Sequence, residues 1–160
     1  MQELNGKADM MRFEILLEHG GIAVDADEEC LRPLDDFPLL DSPYKRGFRE
    51  HEAWAAYENE TCRPELVAMG ALGAAPGASV FEELVVGVAN QDFRAPAWIS
   101  VGPWYLTKAA RRHPELFVYP ARSFYPEHAD GTLAPGDFPI FGRQHWGGTR
   151  NCWAKLLETG

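Results

Sequence analysis

Two aspartates separated by one residue end the first apolar segment of the chain. Residues 20–24 read GGIAV, and Asp25 and Asp27 follow directly. Alternate residues of a strand share a face, so the two carboxylates can turn together toward one cleft at the strand's end. Close carboxylates repel each other and favour a divalent cation between them. Because such a cation stabilises a diphosphate leaving group, the first hypothesis is a metal-dependent enzyme that uses a nucleotide sugar.

Two other uses of aspartates fail on spacing. A calcium-binding EF-hand that starts at Asp25 needs Gly at its sixth position and Glu at its twelfth, which are Cys30 and Asp36 here. Residues 130–133 read DGTL, the second half of a phosphatase motif of the haloacid-dehalogenase type, but His128 stands at the nucleophile position. We therefore exclude both.

Composition narrows the function classes. The chain has 160 residues, which suits a single domain over 1–160, and its net charge of -9 argues against nucleic-acid binding. It has no apolar run of the ~20 residues that a bilayer span requires, and no secretory signal. The three cysteines, Cys30, Cys62 and Cys152, include no Cys-x-x-Cys pair, so we expect free thiols in a reducing, cytoplasmic compartment and no zinc site.

The elements that must position the aspartates follow from periodicity. We expect a helix over residues 5–19, with Asn5 as its N-cap and Gly20 as its C-cap. Its apolar residues lie at helical spacing, at Leu4, Ala8, Met11 and Ile15. Further elements are strands at 22–24, 66–72 and 117–119, helices at 78–90 and 104–113, an irregular region at 35–65 and a loop at 125–139. Short strands with helices between them predict an α/β fold.

At this point the residues resemble a known family. Residues 7–16 (KADMMRFEIL), the GGI at 20–22 and the DAD at 25–27 resemble the DXD sugar-binding region of the family 32 glycosyltransferases. That family includes the initiation-specific α-1,6-mannosyltransferases and the capsular polysaccharide transferases. Later elements resemble the family in the same order and extend the likeness over nearly the whole chain: YENE at 57–60, residues 73–77, Gly102-Pro103 with Leu106-Thr107, FYP at 124–126 and His145-Trp146.

The resemblance implies a fold and an activity. The fold would be a truncated GT-A-like, Rossmann-like core, a small mixed sheet flanked by helices without the family's usual N-terminal segment. The activity would be metal-dependent, retaining transfer of a sugar from a UDP- or GDP-sugar donor to a glycan acceptor in polysaccharide biosynthesis, with Mn²⁺ or Mg²⁺ as the cation. Two departures are Ala23, where the family has tyrosine, and Asn151-Cys152-Trp153, where it has Ser-Trp.

The resemblance also implies residue roles. The expected catalytic residues are Asp25 and Arg12. The expected donor-binding residues are Asp9, Arg12, Gly21, Asp25, Gly102 and Trp153, and the expected metal ligands are Asp25, Asp27 and His145. Glu58 and Glu60 are candidates for contacts to acceptor hydroxyls, and Trp146 and Trp153 for stacking on a ring.

Each of these residues also has a plain structural interpretation. Asp25 and Asp27 would be ordinary acidic residues where a strand passes into a loop. Asp9 and Arg12 would be a surface ion pair one helical turn apart. His145 would pack its ring on Trp146. Gly102-Pro103 would be a strand terminator, and Glu58 and Glu60 would be solvated charges.

Two rival functions stay open beside the enzyme. The first is a non-catalytic binding or scaffold module. The second is a fragment whose donor site is completed by a partner chain or a homodimer, because an exposed strand edge invites pairing. Peripheral membrane association is compatible with all three.

Overall fold

Four helices and seven strands form the part of the chain that the computed structural model describes, residues 3–33 and 52–151. The helices are α1 Leu4–His19, α2 Ser79–Gly87, α3 Ala97–Ser100 and α4 Pro103–Ala110. The strands are β1 Gly21–Val24, β2 Glu28–Cys30, β3 Ala53–Asn59, β4 Arg63–Val67, β5 Ala71–Ala74, β6 Leu116–Tyr119 and β7 Gly142–Gln144.

Strand β3 organises a mixed sheet of five strands. Its first half pairs antiparallel with β5 and parallel with β6, and its second half pairs antiparallel with β4. Strand β1 joins the edge of β5 in antiparallel register, with Val24 opposite Ala71. A separate ribbon pairs β2 with β7, so that Glu28 lies opposite Gln144. This ribbon brings residues 142–147 to the segment that follows Asp25 and Asp27.

The two faces of the sheet carry two different cores, because successive residues of β3 point to opposite sides. Ala53 and Ala55 pack with the helices, in a cluster that contains Phe13, Leu16 and Phe81. Trp54 and Ala56 face an aromatic cluster from the chain that follows β6. There Trp54 stacks on Phe124, with ring centroids 5.2 Å apart and an interplanar angle of 13°. Helices therefore cover one face and an aromatic loop layer covers the other.

The α/β prediction, with a small mixed sheet flanked by helices, is confirmed. The predicted helices at 5–19, 78–90 and 104–113 correspond to α1, to α2 with the 3-10 turn Val88–Asn90, and to α4. Gly20 ends α1 as expected, with a φ of 65° and its N–H donated to the Leu16 carbonyl at 3.0 Å. The predicted strands at 22–24 and 117–119 are found as β1 and β6.

Details of the first helix were predicted wrongly. Helix α1 begins at Leu4 with Glu3 at the N-cap position, so Asn5 lies inside the helix and does not cap it. The expected stripe is exposed, with 81% of Leu4 and 57% of Met11 accessible. The buried residues are Gly6, Phe13 and Leu16 instead. Tertiary packing decides which face of α1 is buried, because Phe13 and Leu16 pack in the hydrophobic cluster that α1 shares with α2.

The middle of the chain also differs from the prediction. Strand β3 and the start of β4 lie in the region predicted as irregular, and residues 66–72 form the end of β4 and the start of β5 rather than one strand. Strand β3 reads AWAAYEN, and its alanines hide the usual strand signal because both faces of the strand are covered. The rest of the irregular prediction, residues 35–51, lies outside the described residues. None of the described helices is long and apolar enough to traverse a membrane.

Candidate functional site

Asp25 is joined to Arg12 at the end of β1. The Asp25 N–H donates to the Gly70 carbonyl at 2.8 Å, which fixes the backbone where the strand ends. From α1, Arg12 Nη2 donates to Asp25 Oδ1 at 2.6 Å, and Nη1 donates to the Met69 carbonyl. The Arg12 side chain is only 12% exposed. Arg12 is thus a buried partner of Asp25 rather than half of a surface ion pair with Asp9.

The second oxygen of Asp25 is bonded by a residue that the sequence did not indicate. Gln144 Nε2 donates to Asp25 Oδ2 at 3.0 Å. Gln144 ends β7 and reaches Asp25 because β7 pairs with β2. No local sequence pattern predicts that β2 and β7, which are more than a hundred residues apart, pair with each other. Arg12 and Gln144 together hold the Asp25 carboxylate in one orientation.

Asp27 is held by the segment that follows β7. Its Oδ2 accepts the Gly147 N–H at 2.6 Å, and its carbonyl accepts the His145 N–H at 3.0 Å. The His145 ring, however, places Nε2 3.2 Å from Glu29 Oε2. His145 is therefore close to Asp27 through its backbone, while its imidazole faces Glu29.

Glu28 is a second residue that sequence reasoning missed. Both of its carboxyl oxygens are buried, and neither has a hydrogen-bond partner among residues 3–33 and 52–151. Burial, first, and the nearby charges of Asp25 and Asp27 together raise the pKa of Glu28 from 4.5 to about 9. A carboxyl that is crowded by two others and shielded from water releases its proton only when positive charge is supplied.

Asp9 and Gly102 meet on the other side of Arg12. A Cβ atom on Gly102 would lie 3.2 Å from Asp9 Oδ2 and 2.8 Å from the Trp98 Cα, so only glycine fits this turn between α3 and α4. Burial raises the pKa of Asp9 to about 7; Arg12 lowers it and Asp25 raises it. Four predicted positions, Asp9, Arg12, Asp25 and Gly102, are thus brought together by three separate elements.

The other predicted donor residues are placed differently. Gly21 starts β1 with a φ of 89°, opposite Ala74, at the far end of the strand from Asp25. Over four residues that is on the order of 13 Å. Trp153 lies outside the described residues, so its donor role stays a prediction.

The donor atoms around Asp25 suit a hard divalent cation. Asp25, Asp27 and Glu28 offer only oxygens, and the unpartnered carboxyl of Glu28 is the group that a cation would satisfy. Within residues 3–33 and 52–151, neither Asp25, Asp27 and His145 nor Asp25, Asp27 and Glu28 form a group whose ligand atoms all lie within 4.8 Å of one another. His145 as a metal ligand therefore stays a prediction that the direction of its ring does not favour.

A cavity of about 360 Å³ opens beside this cluster. Its lining includes Trp98, Pro103, Glu58, His128 and Trp146. The indole of Trp146 donates to the Glu127 carbonyl at 2.8 Å and meets the His128 ring edge to face at 5.2 Å. Two indole rings and several polar groups line the same cavity, a mixture that is usual in small-molecule sites.

Glu60 was the other acidic candidate for acceptor contacts. Its Oε1 accepts the Ala121 N–H at 2.8 Å, a bond from the β3–β4 turn to the chain after β6. Glu60 therefore holds two segments together in this structure, and Glu58 is the acidic residue of its motif that faces the cavity.

Comparisons of the chain with protein-family models, with curated proteins and with solved structures find no match. The family 32 resemblance therefore stays a prediction that rests on the motifs and their spacing.

Proposed function

We propose that this chain is the core of a divalent-cation-dependent, retaining glycosyltransferase that uses a UDP- or GDP-sugar. One observation carries the proposal. Helix α1, the end of β1 and the α3–α4 turn bring Asp9, Arg12, Asp25 and Gly102 into one cluster, with Arg12 and Asp25 joined at 2.6 Å. These four are among the positions that the family resemblance selects; Gly21, another of them, lies at the far end of β1.

The cluster has the chemistry to bind a sugar. Asp25 accepts hydrogen bonds, and Arg12 and Gln144 fix its orientation, so its carboxylate is presented to sugar hydroxyls without rearrangement. Asp9, with a pKa of about 7, presents both the carboxyl and the carboxylate form near neutral pH, so it can donate or accept. Arg12 acts through Asp25 and is a positioning residue.

Asp25, Asp27 and Glu28 are the residues that would hold the cation, and their ligand atoms, which do not all lie within 4.8 Å of one another here, would move closer together when it binds. When bound, Mn²⁺ or Mg²⁺ offsets the negative charge that develops on a departing nucleoside diphosphate. The excess of carboxylates over basic side chains around Glu28 supports this assignment.

The cavity lined by Trp98, Glu58 and Trp146 is the acceptor site in this proposal. Trp98 is 45% exposed, which leaves apolar ring surface for a sugar face. Pro103 lines the cavity directly after Gly102, so the acceptor would enter beside Asp9.

The test is release of nucleoside diphosphate from a panel of UDP- and GDP-sugars, with and without Mn²⁺. We expect Mn²⁺-dependent release, an unchanged anomeric configuration by NMR, and a loss on the order of 100-fold in Asp27→Asn. Asp137→Asn, an exposed aspartate outside the cluster, is the matched control and should retain activity.

The outcomes separate the enzyme from its rivals. Neither turnover nor a thermal shift with any member of the panel would refute the catalytic proposal. A thermal shift without release of nucleotide would favour the binding module, and activity confined to a dimeric fraction would favour a site completed by a second copy.

A further inference from the structure

A thiol, an imidazole and a carboxylate come together around His128, which also lines the cavity. Cys62 lies in the turn between β3 and β4, and His128 and Asp130 lie in the loop after β6. One ligand atom from each of the three lies within 4.8 Å of the others. His128 is 7% exposed, so its ring is held inside the protein rather than in solvent.

A buried asparagine holds the two loops together. Asn59 Oδ1 accepts the N–H groups of Thr61 and Cys62, at 2.9 and 3.0 Å, and Asn59 Nδ2 donates to the Thr132 carbonyl at 3.3 Å. Asp130 Oδ1 in turn accepts the Thr132 N–H at 2.9 Å. Asn59 itself is fully buried. The positions of Cys62 and Asp130 are therefore set by the fold and need no ligand to bring them together.

The contacts around His128 show which of its ring nitrogens faces Cys62 and Asp130. Glu58 Oε1 lies 3.1 Å from Nε2, so Nε2 carries the proton that Glu58 accepts. The Asp130 N–H approaches Nδ1 only to 3.5 Å, the outer limit of a hydrogen bond, so the Nδ1 lone pair stays available to a closer partner. Yet Nδ1 is also 3.0 Å from Asp130 Oδ1. Two lone-pair atoms at that distance require a cation or a second proton between them.

We propose that Cys62, His128 and Asp130 bind a borderline transition-metal ion of the Zn²⁺ class, with Glu58 as the outer carboxylate that orients the imidazole. Sulfur, nitrogen and oxygen ligands together suit Zn²⁺ or Co²⁺, whereas Mn²⁺ and Mg²⁺ prefer the all-oxygen cluster at Asp25. A carboxylate on the second nitrogen of a ligating histidine is the usual support of such a site. The sequence contains no Cys-x-x-Cys pair and therefore did not indicate this metal site, because its ligands come from two loops that are distant in sequence.

A Cys-His-Asp catalytic triad is the alternative use of the same residues, and the geometry excludes it. Both ring nitrogens of His128 already face carboxylates, so neither is placed to take a proton from Cys62.

The test uses the whole native chain. Co²⁺ added to the metal-free protein should produce a sulfur-to-cobalt charge-transfer band in the near ultraviolet, and Zn²⁺ should abolish that band. Zn²⁺ should also slow alkylation of the Cys62 thiol about tenfold, because a metal-bound thiolate is protected. The exposed Cys30 is the internal control and should react at the same rate with and without Zn²⁺.

Two variants complete the test. Cys62→Ser should lose the charge-transfer band while Cys30→Ser keeps it, and circular dichroism should show both variants folded. A native chain that gives no band, and whose Cys62 reacts at an unchanged rate in Zn²⁺, would overturn the proposal. The group would then be an imidazolium hydrogen-bonded between Glu58 and Asp130.

Discussion

Replacing Asp9 by asparagine should make the protein more stable at neutral and alkaline pH. The pKa of Asp9 is raised from 3.8 to about 7 in the fold, chiefly by burial. The native state therefore binds more protons than the unfolded state between these two values, and stability falls as pH rises from about 4 to about 7. Asparagine keeps the shape of the side chain and removes the charge. The advantage of Asp9→Asn should be near zero at pH 4, grow up to pH 7 and stay level above it.

The size of the effect follows from the pKa. At about 1.4 kcal/mol per pH unit, a rise from 3.8 to about 7 sets an upper limit of roughly 4 kcal/mol. Asp9 retains some contact with solvent, which reduces the penalty on its charged form. We therefore expect about 1–3 kcal/mol at pH 8. The assay is urea unfolding at pH 4, 6 and 8, with the free energy of unfolding extrapolated to water.

A matched control separates burial from simple loss of charge. Asp137 is exposed, so Asp137→Asn should change the free energy of unfolding by less than about 0.5 kcal/mol at every pH. A pH-independent difference between Asp9→Asn and the native chain would refute the reasoning, as would an Asp9→Asn variant that is less stable at pH 8. Either result would mean that the Asp9 carboxylate is well solvated or well paired in the native state.

Two further substitutions test the contacts that hold the cluster and the loops. Arg12→Ala should lower the free energy of unfolding by about 1–3 kcal/mol, because Asp25 Oδ1 and the Met69 carbonyl both lose the donor that Arg12 provides. Arg94→Ala, which breaks an exposed pair with Asp92, is its control and should leave the urea midpoint of unfolding unchanged. Asn59→Ala should cost about 2–4 kcal/mol and speed alkylation of Cys62, because three hydrogen bonds that hold the turn are lost. Unchanged stability and thiol reactivity in Asn59→Ala would show that the two loops keep their positions without it.

The fold was predictable wherever a short segment carries its own signal. The helix that Gly20 ends and the strand before Asp25 both follow from local spacing and backbone preference. Strand β3 was not predictable, because its alanines are buried by layers that come from distant parts of the chain. The predicted buried face of α1 was wrong for the same reason, since Phe13 and Leu16 are buried by the helix and the sheet that pack against them.

In the candidate site, too, sequence motifs predicted some residues and tertiary contacts decided the others. The sequence motifs placed Asp9, Arg12, Asp25 and Gly102 among the expected site residues, together with Gly21, which lies at the far end of β1, and Trp153, which lies outside the described residues. Only the tertiary structure determined that Gln144 bonds Asp25, that Glu28 is buried without a partner, that the His145 ring faces Glu29, and that Cys62 meets His128 and Asp130. Each of these contacts depends on a strand pairing or a loop contact between segments distant in sequence. Local propensity contains no information about such pairings, because their free energy arises only when the whole chain has folded.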